Sequence, residues 1–265
     1  MRVRGACKLL VPGALLLAML AGCPLRPPAA TAVPATPAPA TLPPGGTPQR
    51  GQPYDVDGAA SLLTVLVYRG GALASVGHNH VIASHQLSGT FYVPDDVLHS
   101  SFELHVAVDT LTVDEAALRA QQSGADFPAE VSEGARQGTR RNMLGEALLD
   151  AVHNPEIVLR SAGLERGAPA SAPAAAASGP PAGAGSAAAD ALLAQVQSTV
   201  RGQQRTFAVP LRYQLGGGTL IVSGETSLRQ SELGLTPFSA MLGALQVQDE
   251  MHVAFRIVAH AAPVQ

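Results

Sequence analysis

Residues Thr206 to Leu228 read TFAVPLRYQLGGGTLIVSGETSL. Phe207, Val209, Leu211 and Tyr213 alternate with Ala208, Pro210, Arg212 and Gln214, and after Gly216-Gly217-Gly218 the alternation resumes at Leu220, Val222, Gly224 and Thr226. A period of two gives each strand one buried face and one wet face. The glycines supply positive φ without steric cost, so the stretch predicts a β-hairpin. Pro210 has no N–H to donate to a ladder, which predicts an edge or a bulge at that point. A two-stranded hairpin is marginal in water, so other runs must cover its apolar face.

Such runs lie on both sides. Ser61 to Arg69 is nearly continuously apolar and is broken by Gly70-Gly71. Ser84 to Val93 predicts a strand that ends at Pro94-Asp95-Asp96. From Ser101 to Asp109, Phe102, Leu104, Val106 and Val108 alternate with Glu103, His105 and Ala107. Glu156 to Ser161 and Ala191 to Val200 predict two more strands, and Val247 to Ala259 predicts the last, with Val253, Phe255 and Ile257 on one face. Helical spacing predicts a short helix around Glu115 to Gln121 and another over Thr139 to Val152, stopped by Asn154-Pro155. A short helix is also expected near Ser239 to Leu242. About eight antiparallel strands with one or two short helices form an all-β class, and eight strands close into a lipocalin-like barrel. A membrane-spanning barrel needs aromatic girdles, and four Tyr, six Phe and no Trp are too few for them.

Outside these strands the composition changes twice. Arg2, Arg4 and Lys8 precede an apolar run from Leu9 to Leu20, and Leu20-Ala21-Gly22-Cys23 follows. That order resembles a bacterial lipobox. It predicts a signal peptide over residues 1–22, lipidation of Cys23, and a protein anchored in the bacterial cell envelope facing the periplasm. Cleavage would remove Cys7 and three basic residues, taking the formal net charge from −3 to −6 with His neutral. With Cys23 acylated, no thiol remains for a disulfide or a nucleophile. Residues 23–53 then form a Pro/Ala-rich linker of polyproline-II character, and the barrel domain spans 54–260. A second tract of Ala, Gly, Pro and Ser, at about 165–190, cannot build a core and reads as a long disordered loop within that domain. The charge is mildly acidic and no basic run occurs, so nucleic acid is not an expected partner.

Several short pieces, in order, carry a family resemblance. They are Tyr54-Asp55-Val56-Asp57, Gly77-His78-Asn79-His80 before Leu87-Ser88-Gly89-Thr90-Phe91, and Asn142-Met143 with Leu148-Leu149-Asp150. Asn154-Pro155-Glu156-Ile157, Ser161, Gly202, Thr206 to Leu211, and Ser231-Glu232-Leu233-Gly234-Leu235 complete the set. In these the chain resembles the YceI-like family of periplasmic polyisoprenoid-binding barrels. The resemblance implies an antiparallel barrel whose apolar tunnel takes an isoprenoid-type lipid, either a polyprenol or a quinone. Against that pattern, the lipobox, the second His of the GHNH motif and the low-complexity insertion are departures.

The alternating apolar faces supply the candidate lining: Phe102, Leu104 and Val106; Phe207, Val209 and Leu211; Leu220 and Val222; Val253, Phe255 and Ile257. Read alone, these faces either fill a solid core or line a tunnel; the resemblance implies the tunnel. His78 and His80 are the candidate polar contacts. On a strand they would share a face, and they could meet a ligand head group, order a turn, or chelate a metal with His85, His105, His252 or an acidic residue. Enzymatic motifs are absent from the sequence: there is no G-x-S-x-G, H-E-x-x-H or phosphate loop. Ser75, His80 and Asp57 could be drawn as a triad, but their spacing does not support one. The expectation is a carrier without bond chemistry. The alternatives are a metal-dependent protein using GHNH and an adaptor lipoprotein with no ligand. An exposed strand edge would permit a homodimer.

Overall fold

The computed structural model describes residues 50–122, 126–128, 130–167 and 190–263. The expected signal peptide, Cys23, the linker up to residue 49 and most of the second Ala/Gly/Pro/Ser tract lie outside the described residues.

The chain forms β1 (Gln52–Gly70), β2 (His80–Ser84), β3 (Leu87–Val93), β4 (Ser101–Ala107) and β5 (Thr112–Val113). Helices α1 (Ala116–Ala120) and α2 (Glu133–Leu144) follow. Then come β6 (Glu156–Arg166), β7 (Asp190–Val200), β8 (Gln203–Gly216), β9 (Thr219–Arg229), β10 (Ser239–Ala240) and β11 (Leu245–Ala261). The pairing β1-β3-β4-β6-β7-β8-β9-β11 returns to β1, which closes an eight-stranded antiparallel barrel. The all-β barrel expected from the sequence is therefore the observed fold.

Strand β1 organises the closure, and it is longer than its apolar run. Its first residues pair with β3 (Tyr54 opposite Phe91), its later ones with β2 (Val65 opposite Ile82), and its whole length with β11. Between Asp57 and Leu62 the β1–β11 register slips, and Ser61 fills the slip: its hydroxyl donates to Asp57 O at 2.7 Å and accepts from the Val258 N–H at 3.0 Å. The predicted strand Ser84 to Val93 is also broken. The break falls at His85-Gln86, so β2 and β3 meet β1 on either side of its slip.

The continuous apolar run of β1 has a physical reason. Leu63, Val65 and Val67 face the barrel interior, whereas Leu62, Leu66 and Tyr68 pack outward on a second small core of Val81, Ala83, Leu118 and Phe127. Both faces are covered, so both are apolar.

The hairpin read from Thr206 to Leu228 is β8 and β9. Gly217 and Gly218 hold φ of +58° and +74° in the two-residue turn between Gly216 and Thr219. Pairing of β8 with β9 runs only as far as Arg212 opposite Ser223, two residues short of Pro210. The proline thus sits where β8 has left β9, as its missing N–H requires. Strands β6 and β7 pair directly (Arg166 opposite Leu192), so the low-complexity tract joins two neighbouring barrel strands.

Two local expectations are corrected. The helix expected over Thr139 to Val152 runs instead from Glu133 to Leu144, capped by Ser132, whose Oγ accepts from the Ala135 N–H at 3.3 Å. Its first turns, Glu133 to Arg141, are polar and solvated, so no apolar period marks them. The segment near Ser239 to Leu242 is a two-residue strand followed by a 3-10 turn.

Candidate functional site: an apolar cavity in the barrel

Antiparallel alternation sends every second side chain inward, and these residues do not fill the interior. They enclose a cavity of about 250 Å³. Each pair of neighbouring strands contributes. Phe102, Leu104 and Val106 of β4 line it beside Ile157 and Leu159 of β6. Phe207, Val209 and Leu211 of β8 line it with Val222 of β9, which is paired with Ile257 of β11, and Val253 and Phe255 of β11 stand opposite Val65 and Leu63 of β1. These are ten of the eleven apolar residues expected from alternation. The eleventh, Leu220, is buried but lies off the cavity. Its place explains this: it pairs with the fully buried Ala259 toward the lower end of the barrel, where β1 begins and β11 ends, and the buried core there also includes Tyr54 and Leu192.

The cavity reaches toward the upper end, where β1 and β9 finish and β11 begins. Two covers lie there. Met143 of α2, with Leu148 and Leu149 just after it, closes one side. Leu233 and Leu235, in the segment after β9, close the seam that opens where β8 leaves β9. These covering residues were within the motifs that carry the family resemblance, but helical or strand periodicity gave no sign of their role. Among the described residues, the only polar side chains on the lining are Ser198, Thr226 and Gln230. Gln230 donates from Nε2 to Gln248 O at 2.8 Å. None of the described residues on the lining has a titratable side chain, and burial of apolar area is what such a wall can offer a ligand.

His78 and His80 do not line it. His78 is exposed in the loop before β2, so the two histidines do not share a strand face. His80 is buried, and its Nδ1 lies 2.6 Å from Asp114 Oδ2. On the other side of the ring, Nε2 lies 3.2 Å from Thr139 Oγ1 of α2. Asp114 Oδ1 also accepts from the Val81 N–H at 2.9 Å and from Arg119 at 2.7 Å. Arg119 in turn donates to Asn79 O at 2.8 Å and Pro128 O at 2.7 Å, and stacks over the Phe127 ring. Asn79 donates to Asp126 O and accepts from the Arg69 N–H. Burial acts to raise the Asp114 carboxyl, but His80, the Val81 N–H and Arg119 outweigh it and hold the pKa below the ordinary aspartate value.

The GHNH segment thus belongs to a buried polar network that ties β2 to α1 and α2. Nothing in its spacing could have shown this, because the acidic centre lies more than thirty residues away. The third metal ligands considered are elsewhere: His85 meets Glu115, His105 meets Glu103 and Glu156, and His252 faces Glu225. Among the described residues no three His, Cys, Asp or Glu side chains come together in a group that could hold a metal ion.

The outer face of the barrel carries Glu103, Arg160, Arg212, Glu225 and Arg256 along its strands. Glu103 and Arg160 are cross-strand partners joined by two 2.9 Å bonds, and this guanidinium first, then the nearby His105, holds the Glu103 carboxyl below its usual range against the effect of partial burial. A lipid-facing apolar band would not carry such pairs. No helix among the described residues is long and apolar enough to cross a membrane.

No protein-family model matches the sequence, and no curated protein matches it either. Solved structures do. The chain is similar to Burkholderia cenocepacia BcnA at 16% identity and a TM-score of 0.49, covering 77% of this chain and 99% of that one. It is similar to a polyisoprenoid binding domain from Saccharophagus degradans, implicated in plant cell wall breakdown, at 12% identity and a TM-score of 0.47, covering 79% and 98%. A Campylobacter jejuni YceI protein matches at 7% identity and a TM-score of 0.42, covering 67% and 82%.

Proposed function

We propose that this protein is a lipid-anchored envelope protein that binds or carries an amphiphile with an isoprenoid tail, a polyprenol or a quinone, inside the barrel. The observation that carries the reading is the cavity of about 250 Å³, whose wall is apolar apart from Ser198, Thr226 and Gln230. Such a wall leaves water with few partners. It rewards a hydrocarbon chain by about 0.8 kcal/mol per buried methylene. Branched aliphatic and Phe side chains suit a branched tail, and the lining offers no acid, base or nucleophile poised for bond chemistry. Binding rather than catalysis is the role that follows. The periplasmic anchor rests on Leu20-Ala21-Gly22-Cys23. Cys23→Ser should abolish incorporation of a labelled fatty acid in cells.

Native mass spectrometry of the detergent-free protein tests the cavity. A co-purified mass that extracts into organic solvent and fragments as an isoprenoid supports the reading. A bare polypeptide mass, after incubation with a short-chain polyprenol and a quinone, overturns it.

A further inference from the structure

Six large apolar side chains are exposed among the described residues, and four of them stand together. Leu73 (40% exposed) and Val76 (66%) lie in the loop after β1; Met241 (70%) and Leu242 (109%) lie in the turn before β11. The two loops are joined. The Leu73 N–H donates to Ala244 O at 2.7 Å, and Gly71 passes so close that a Cβ there would come within 2.4 Å of the same oxygen. Both loops belong to the upper end of the barrel, the end toward which the cavity reaches.

Three further observations describe what this tip suits. Met241 and Leu242 hold consecutive positive φ values of 51° and 57°. Large side chains in that region cost on the order of 1–3 kcal/mol each, and such strain concentrates at functional sites. Here it aims two apolar side chains at solvent, where burial within the fold cannot repay it. Next, no Asp, Glu, Lys or Arg occurs between Arg69 and Asp95, or between Glu232 and Asp249, so neither loop has a carboxylate or a Lys or Arg of its own; the nearest cation, the Arg69 guanidinium, is held against the base of the first loop by Gly77 O at 2.9 Å. Last, the tip is aliphatic. Its four exposed side chains, Leu73, Val76, Met241 and Leu242, include no Phe, Tyr, Trp or Arg, the types that anchor protein interfaces; His78 and the Arg69 guanidinium lie at the base of the first loop. Charge-free aliphatic loop tips match hydrocarbon, and partial insertion rewards them by the apolar area removed from water.

We propose that the loops carrying Leu73, Val76, Met241 and Leu242 dock the upper end of the barrel onto a lipid bilayer, so that the cavity is filled and emptied from the membrane phase. For its cargo the proposal rests on the carrier reading above; the docking itself is tested separately.

The chain contains no tryptophan, so Leu242→Trp places a single reporter at the tip. The full-length variant is mixed with vesicles of phosphatidylethanolamine and phosphatidylglycerol, with and without brominated acyl chains. Its emission should shift to shorter wavelength on the vesicles and lose most of its intensity to the bromines. Leu215→Trp, on the partly exposed residue beside the β8–β9 turn at the lower end, should stay at the aqueous wavelength and unquenched. Equal, aqueous emission from both variants on vesicles would overturn the docking. Emission from Leu242→Trp that is already shifted without vesicles would overturn it too, because a second copy of the chain would then cover the tip. Quenching at Leu242→Trp in a protein that holds no lipid upholds the docking and removes the carrier reading. A lipid-loaded protein with an unquenched tip does the reverse.

Discussion

His80 and Asp114 meet at 2.6 Å in a pocket where the Asp114 side chain is fully buried and Arg119, its other partner, is 1% exposed. The buried carboxylate receives three donors, from His80, Val81 and Arg119, and its residue adopts φ of +53° to do so. Removing it would leave a guanidinium charged, dry and short of its ion partner. Asp114→Asn keeps a side chain that tolerates the left-handed region, so it isolates the charge from the backbone strain. The expected loss is about 3–5 kcal/mol in urea denaturation, the usual cost of orphaning one member of a buried pair. A loss below about 1 kcal/mol, the scale of an exposed pair, would show the network to be dispensable.

The same carboxylate makes a pH signature. Its folded pKa lies below the ordinary value, so the native state favours the charged form. That contribution is fully present above the unfolded-state pKa of about 3.9 and is lost as pH falls through the lower folded value. Stability of the natural sequence should therefore fall more steeply below about pH 4 than that of Asp114→Asn, which has no proton to gain there. Parallel acid limbs for the two proteins, measured by urea midpoint across that window, would remove Asp114 from the account.

Two enlargements separate a cavity from a packed core. Val253 faces the cavity from β11. Ala194, on β7 opposite Val209, has no exposed area and does not line the cavity. Val253→Phe should fold with an unchanged or slightly raised melting temperature while it lowers bound lipid, since its ring enters empty space. Ala194→Leu should cost about 1–3 kcal/mol by overpacking and leave lipid binding in place. If both variants destabilise alike, the interior is closed.

The contrast between these positions also marks what was legible in the sequence. Alternation on β4, β8, β9 and β11 identified the inward faces because each strand has one wet side. It could not separate Leu220 from Val222, since wall and floor residues have the same pattern; only the taper of the barrel distinguishes them. The sequence shows only the later part of β1 as an apolar run because Gly58-Ala59-Ala60 lacks large apolar side chains, yet these residues form the bulge that lets β2 and β3 share one partner. Apolar spacing marks only the end of helix α2, because its first turns are largely solvated and only Met143 is buried. The Asp114 network joins side chains from β2, α1, α2 and the loops between them, a relation set by tertiary contact alone.

Gly224 makes the last test, at the seam where β8 leaves β9. A Cβ at this position would meet Pro210 O at 2.5 Å and the Phe255 ring at 2.7 Å. The ring can turn, but the carbonyl belongs to a strand backbone held by β7. Gly224→Ala should thus push β8 away from β9 and cost about 1–3 kcal/mol, the scale of forced overpacking. Adding Phe255→Leu removes only the ring contact. Because the two residues touch, their effects should not sum: the double variant should be more stable than the two single losses added together, by a coupling of about 0.5–3 kcal/mol. It should still fall short of the natural sequence, since the clash with Pro210 remains and a cavity-lining ring is gone. Strict additivity in a denaturation cycle would mean that the ring and the glycine do not constrain each other. The absence of Cβ at Gly224 would then serve only the approach of the Pro210 carbonyl.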